Sequence, residues 1–194
     1  LGCEPITVMP QSFGDPATGS LIYVFGSGQY LGPKDRTASS VLGTNHFFGV
    51  RDYGTGSGKY PMHESDLVSQ TLTQDGSGVR SLTASAVPAT NGGWMIPLNV
   101  SVGGTKILGE RNVVRAGRLV ASGSAILYSL IPGANNDPCT PGRTGAVMQV
   151  NASTGGAMTP PSTPGGSSVV GAIVVNPPAT GGGGVLSPQG GGSI

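Results

Sequence analysis

The sequence predicts an all-β fold of β-propeller blades, an incomplete ring joined by many tight Gly/Pro turns. Three observations carry that expectation. Glycine and proline number 35 and 16 in 194 residues, and only 10% of residues are charged. This approaches the composition of disordered chains, yet Val, Ile and Leu cluster in short runs between turn residues, as strands do. No segment holds the 3.6-residue periodicity of a long helix. Finally, residues 21–25 (LIYVF), 125–131 (AILYSLI) and 169–175 (VVGAIVV) are apolar at nearly every position. A strand with one solvated face alternates apolar and polar residues, so a continuous run predicts cover on both faces. Stacked blades provide such cover, whereas a two-sheet sandwich leaves one face of each strand polar.

The chain is organised around residues 109–156. Its central strand, residues 125–131, is bordered by Gly123 and by Pro132–Gly133, too short and too sharply bounded for a helix. Asn135, Asn136, Asp137 and Pro138 form a loop. Residues 146–151 (AVMQVN) are the next strand, closed by a turn at Thr154–Gly155–Gly156. Earlier in the chain, residues 5–13 predict a strand broken by Pro10, hence an edge. A turn at Asp15–Pro16 and Gly19 follows. Residues 45–53 predict a strand in which Gly49 marks a bulge. A flexible tip at residues 54–58 then leads to one helical turn capped by Ser65. Residues 69–74 and 79–86 pair as a hairpin around Asp75–Gly76. A strand over 94–100 is interrupted by Pro97, and Gly103–Gly104 turns the chain toward residues 106–114. Residues 157–168 form a loop. At about four strands per blade, residues 1–176 make one propeller segment of about two to three blades. Residues 177–194 form a low-complexity, glycine-rich tail.

Charge and chemistry exclude several classes. A net charge of +1 gives no electrostatic footprint for nucleic acid or an anionic membrane. No apolar run is long enough to span a bilayer. Leu1 is not preceded by the basic and apolar segments of a secretory leader, so the chain reads as a processed product or a piece of something longer. Cys3 and Cys139 either form one structural disulfide, as suits an exported protein, or remain two partly buried thiols. Gly26-x-Gly28 follows a strand, but the third glycine of a dinucleotide loop is misplaced and no helix follows, so it reads as a turn.

His63–Glu64–Ser65–Asp66 holds triad residue types side by side. Adjacent residues cannot converge as nucleophile, base and orienter, so the cluster reads as a solvated loop. A zinc site wants three or four ligands at helical or knuckle spacing, and His46, His63 and Cys139 do not supply them. No Asp-x-Asp/Asn-x-Asp/Asn-Gly loop is present for calcium. The sequence therefore implies no catalytic, metal or cofactor residues. Asn99-x-Ser101 and Asn151-x-Ser153 match the N-glycosylation pattern, which is common by chance. Arg51–Asp52, Glu110–Arg111, Arg115 and Arg118 read as solvated charges protecting strand edges.

Seven segments occur in the order seen in the PilY family. They are YVFGSGQYLG (23–32), NHFFGVRDYG (45–54), SDLVSQTL (65–72), GGWMIPL (92–98), GERNVVRAGRLV (109–120), SLIPGANNDPC (129–139) and MQVNASTGG (148–156). The chain thus resembles, over about residues 5–156, the C-terminal region of the type IV pilus tip-associated adhesins and biogenesis factors, which include the PilC proteins. VNASTGG resembles that family's LDALTGG, itself like the blade ends of quinoprotein-type propellers. The resemblance implies an exported, non-catalytic propeller segment at the pilus tip or cell surface. Its implied partners are minor pilins or tip subunits, the remainder of the same precursor, and a host or abiotic surface. Calcium is bound by some members, but Met158–Ser168 carries no acid where they have an Asp-rich loop. The rivals are a fragment of a quinoprotein-like propeller enzyme, disfavoured because Trp94 is the single tryptophan, and a sugar-binding tip adhesin of a chaperone–usher pilus, a sandwich.

Overall fold

The structure, a computed structural model, describes residues 4–32, 35, 37, 43–119, 123–132 and 144–158, and the backbone of 173–174. Cys3, Cys139 and residues 177–194 lie outside the described residues. Every described element with defined bounds is a strand, apart from a 3₁₀ turn at Glu64–Asp66. The fold is therefore all-β, as the turn-rich composition predicts.

A first sheet is built from β1 (Gln11–Asp15), β2 (Ser20–Gly26), β3 (His46–Asp52) and, next to β3, the later strand Gly93–Pro97. These four are antiparallel neighbours. Between β3 and Gly93–Pro97 the chain makes β4 (Leu67–Ser69), which pairs in parallel at the far edge, and the hairpin β5 (Leu72–Gln74) and β6 (Arg80–Leu82). Gly93–Pro97 is thus β7. A small hairpin, β8 (Ser101–Val102) and β9 (Thr105–Lys106), follows around Gly103 and Gly104, both with the positive φ that glycine allows. The second sheet is an antiparallel meander of β10 (Gly117–Leu119), β11 (Ser124–Ile131), β12 (Thr144–Asn151) and β13 (Ile173–Val174).

One shared core joins the two sheets. The first contributes Phe13, Ile22, Val24, Phe47, Trp94 and Ile96, and the second contributes Ala125, Leu127, Met148 and Val150. Each set follows the two-residue period along its strands, so one face of each sheet is sealed. Trp94 is fully buried, and its indole N–H donates to the Ala152 carbonyl at 2.9 Å, just beyond β12. The turn after β12 is braced from within. Asn151 Oδ1 accepts from the Ser153 and Thr154 amides, and Gly155 takes φ +66. Its outer side meets Gln70, whose amide donates to the Thr154 and Ser85 carbonyls at 2.9 Å each.

Several expectations need correction. The apolar runs at 21–25 and 125–131 are not sealed on both sides by the described residues. Ile22 and Val24 are buried while Leu21 is 45% exposed, and Leu127 is buried while Ile126 and Tyr128 are only half-buried. On the second faces Tyr23, Phe25 and Leu130 are likewise only half-buried. Residues 169–175 are described only at 173–174. Gly49 is not a bulge: β3 and β7 stay in unbroken register from His46↔Pro97 to Val50↔Gly93. The glycine is needed because Trp94 lies directly across, and a Cβ at Gly49 would collide with its indole. After Gly103–Gly104 the chain forms β9 at Thr105–Lys106 and, further on, one bridge, Arg111↔Leu130. There the side chains of Glu110, Arg111 and Asn112 turn inward and bond other segments, which breaks the regular ladder. His63, not Ser65, precedes the short helical turn, and the His63 amide donates to Asp66 Oδ2 at 2.8 Å.

The sealed and half-covered faces of β11 differ measurably. Leu127→Asp places a carboxylate in a dry core and should cost more than about 3 kcal/mol. Ile126→Asp, on the opposite face, should cost about 1 kcal/mol. Denaturant unfolding of the chain checks this ordering, and equal costs would mean that both faces are sealed.

Candidate functional site

Three of the charges that read as solvated, Arg51, Glu110 and Arg111, are buried, whereas Asp52 is half-buried and Arg115 is exposed. Arg51 is 1% exposed, and its Nε donates to Asp15 Oδ2 at 2.7 Å rather than to its neighbour Asp52. The rest of its guanidinium donates to the carbonyls of Val87, Pro88 and Asn91. Glu110 does not pair with adjacent Arg111 either. It meets Arg80 of β6 in a two-point pair, at 2.5 and 2.9 Å, and Arg80 Nε donates to Gln74. Arg111 instead donates to backbone carbonyls of Gly109, Gln29 and Asp35. Burial pulls its pKa down, and the Asp35 charge opposes that. The Asp35 carboxylate accepts from the Leu31 and Gly32 amides and from Gln29, which hold it below the usual carboxylate range. Arg118 keeps an exposed position, with its guanidinium 5.7 Å from the Phe13 ring centre.

A buried ion pair marks either a site or a structural joint, and the distinction lies in the geometry. Each of these arginines spends donors on partners from distant segments, and neither of the two described pockets is lined by any of them. They are joints. Nor does the nearest approach to a triad work as one. Ser27 Oγ donates to Glu4 Oε2 at 2.5 Å, and His46 Nδ1 meets Glu4 Oε1 at 2.7 Å. A serine nucleophile must give its proton to an imidazole; here hydroxyl and imidazole both turn to the carboxylate. The cluster clasps the N-terminal segment, helped by the Gly28 amide on the Pro5 carbonyl at 2.7 Å. Among the described residues no group of three or more His, Cys, Asp or Glu is placed to hold a metal. No described helix is long and apolar enough to cross a membrane.

The clasp carries a pH dependence. Burial would raise the Glu4 pKa, but hydrogen bonds from His46 and Ser27 and the His46 charge outweigh it, so the carboxyl sits below its usual range. A depressed folded pKa means that the stabilisation is present above the unfolded value and lost as pH falls through the folded one. Glu4→Gln should therefore lower the unfolding midpoint at neutral pH. The gap to the wild type should close as the pH is taken below the ordinary glutamate range. A gap that persisted at low pH would assign the effect to packing.

The accessible features lie elsewhere. His63, Glu64 and Asp66 are exposed, as expected of a solvated loop, but His63 and Asp66 border an open pocket beside Tyr53 and Lys59. Four residues that hold the interior together, Glu4, Asp15, Gln70 and Arg80, have no local sequence signal. Only the inward register of Arg80, two residues from buried Leu82, could have singled one out.

Two sheets on one core, joined by a tryptophan and a Thr-Gly-Gly turn, define an all-β protein of a known kind. Among solved structures the fold matches the C-terminal domain of PilY1 from Pseudomonas aeruginosa, with a TM-score of 0.60 and 21% identity. The match covers 80% of this chain and 33% of that one, so the chain spans a third of the length of the domain it resembles. No protein-family model matches the sequence, and no curated protein matches it.

Proposed function

We propose that this chain is a non-catalytic, exported segment of a type IV pilus tip-associated protein, contributing about two to three blades of a β-propeller to pilus assembly and surface attachment. The observation that carries the reading is the fold match to a PilY1 C-terminal domain over 80% of the chain. The seven ordered sequence segments support it independently.

The outer face of the second sheet supports the incomplete ring. Leu119, Ile126, Tyr128 and Val147 share that face by register. Leu119 is 45% exposed and the other three are half-buried. A sheet face meant for water is polar; this one suits a further blade from the same precursor, with a minor pilin as the other candidate. Cys3 and Cys139 are proposed to pair as a structural disulfide. If they do, thiol titration of the unfolded, non-reduced chain finds no free thiol; two free thiols would remove the pairing. Calcium has no proposed role in this chain.

A sandwich-type tip adhesin is the second reading. Two sheets around one core favour it, and the match to a third of a larger domain weighs against it. Deleting the coding region and counting surface pili and attached cells tests the function. Both counts should fall and recover with the wild-type chain. Unchanged counts would overturn the proposal.

A further inference from the structure

An open pocket of about 320 Å³ lies between the strap that follows β3 and the loop preceding β7. Tyr53, Lys59, Met62, His63, Asp66 and Gly92 line it. Its volume falls at the lower end of the range of roughly 300–1,000 Å³ typical of small-ligand sites. Two features mark it as built. The segment 87–91, which lines the pocket through Thr90, is held along its length, since each of its carbonyls faces a donor from β3 or the strap. Arg51 reaches those of Val87, Pro88 and Asn91, the Tyr53 hydroxyl those of Ala89 and Asn91, and Lys59 Nζ that of Thr90. Glycine preserves the space inside, because a Cβ at Gly92 would lie 2.8 Å from Met62 Sδ.

The lining groups sort by charge. Lys59 stands 5.7 Å from the Tyr53 ring centre and directs Nζ to Thr90 at 3.3 Å. An ammonium has three protons, so donors remain for an anion. His63 adds an imidazole to the lining. Asp66 spends Oδ2 on the His63 amide, which leaves Oδ1 to accept from hydroxyls. Tyr53 and Met62 supply apolar surface. A wholly apolar ligand would strip water from Lys59 and Asp66 without replacing it. A multiply charged phosphate would be repelled by Asp66.

We infer that this pocket takes a sugar ring bearing a carboxylate, such as one residue of an acidic polysaccharide. The carboxylate meets Lys59 and His63, the hydroxyls meet Asp66, and a C–H face lies on Tyr53 and Met62. Charge-assisted bonds of this kind are the strong ones. The inference does not depend on the pilus reading, because the probe is a free sugar.

The test is a titration of the full chain with glucuronate, and with glucose as its uncharged counterpart, followed by the NMR shifts of the Lys59 and Gly92 amides. Glucuronate should give saturable shifts confined to the pocket, and glucose should bind at least about tenfold more weakly. Lys59→Gln should reduce glucuronate to the level of glucose, Lys59→Arg should retain most of the binding, and Lys106→Gln, at an exposed lysine outside the pocket, should change nothing. Absence of saturable shifts with glucuronate, equal affinity for the two sugars, or unaltered binding by Lys59→Gln would overturn the inference.

Discussion

Replacing Arg51 by methionine should lower the unfolding free energy by about 3–5 kcal/mol, the usual cost of breaking a buried pair from one side. The cause is the partner left behind. Asp15 is 1% exposed and would keep a carboxylate in the core with its guanidinium gone. The carbonyls of Val87 and Pro88 would also lose their donor, and that of Asn91 would keep only the Tyr53 hydroxyl. Arg51→Lys should not rescue the fold, because an ammonium cannot span the fork that links Asp15 to three carbonyls. Combining Asp15→Asn with Arg51→Met should be less damaging than Arg51→Met alone, since it removes the orphaned charge. Denaturant unfolding of the wild type, Arg51→Met, Arg51→Lys, Asp15→Asn and the double variant measures this. A double variant as unstable as the sum of its parts would mean that the two residues act separately.

Trp94→Ala should cost a similar amount, about 3–5 kcal/mol for a large buried aromatic. Its effect is of another kind, because Trp94 belongs to the first sheet and donates to Ala152 at the end of the second. Two glycines make room for it. A Cβ at Gly49 or at Gly155 would collide with the indole, and Gly155 also holds φ +66. Gly155→Ala therefore combines left-handed strain of about 1–2 kcal/mol with overpacking of about 1–3 kcal/mol. Trp94 is the single tryptophan, so its fluorescence reports on this joint alone. In the wild type the emission should be that of a buried indole, shifting to the red in Gly155→Ala before the strands unfold. If Gly155→Ala kept both wild-type emission and stability, the joint would not hold the sheets together.

Local chemistry made some of this fold legible. The β5–β6 hairpin rests on Asp75, whose Oδ1 accepts from the Ser77 and Val79 amides, an arrangement that an Asp-Gly-Ser-Gly turn announces. The turn after β12 is similar, with Asn151 folding its own backbone. What sequence reading missed depends on residues far apart. Arg51 reads as a surface charge until the two-residue period is counted, which puts it on the face of Phe47 and Gly49. Its partner Asp15 is 36 residues away, and Arg80 and Glu110 are 30 apart. Gly49 looks like a bulge because the indole that needs its space comes 45 residues later. The continuous apolar runs at 21–25 and 125–131 mark central strands correctly, whereas 173–174 is the end strand of its sheet as described. They overstate the cover, because half-buried Ile126 and Tyr128 look the same in sequence as a sealed face.

The central claim is that the chain belongs at a pilus tip, and the most direct measurement is its place on the cell. Antibody raised against the chain, read by immunogold microscopy on intact cells and on sheared pili, should label pilus ends and the cell surface at pilus bases. The label should vanish when the coding region is deleted. Label confined to the cytoplasm, or absent from pili that are otherwise normal in number, would contradict the account.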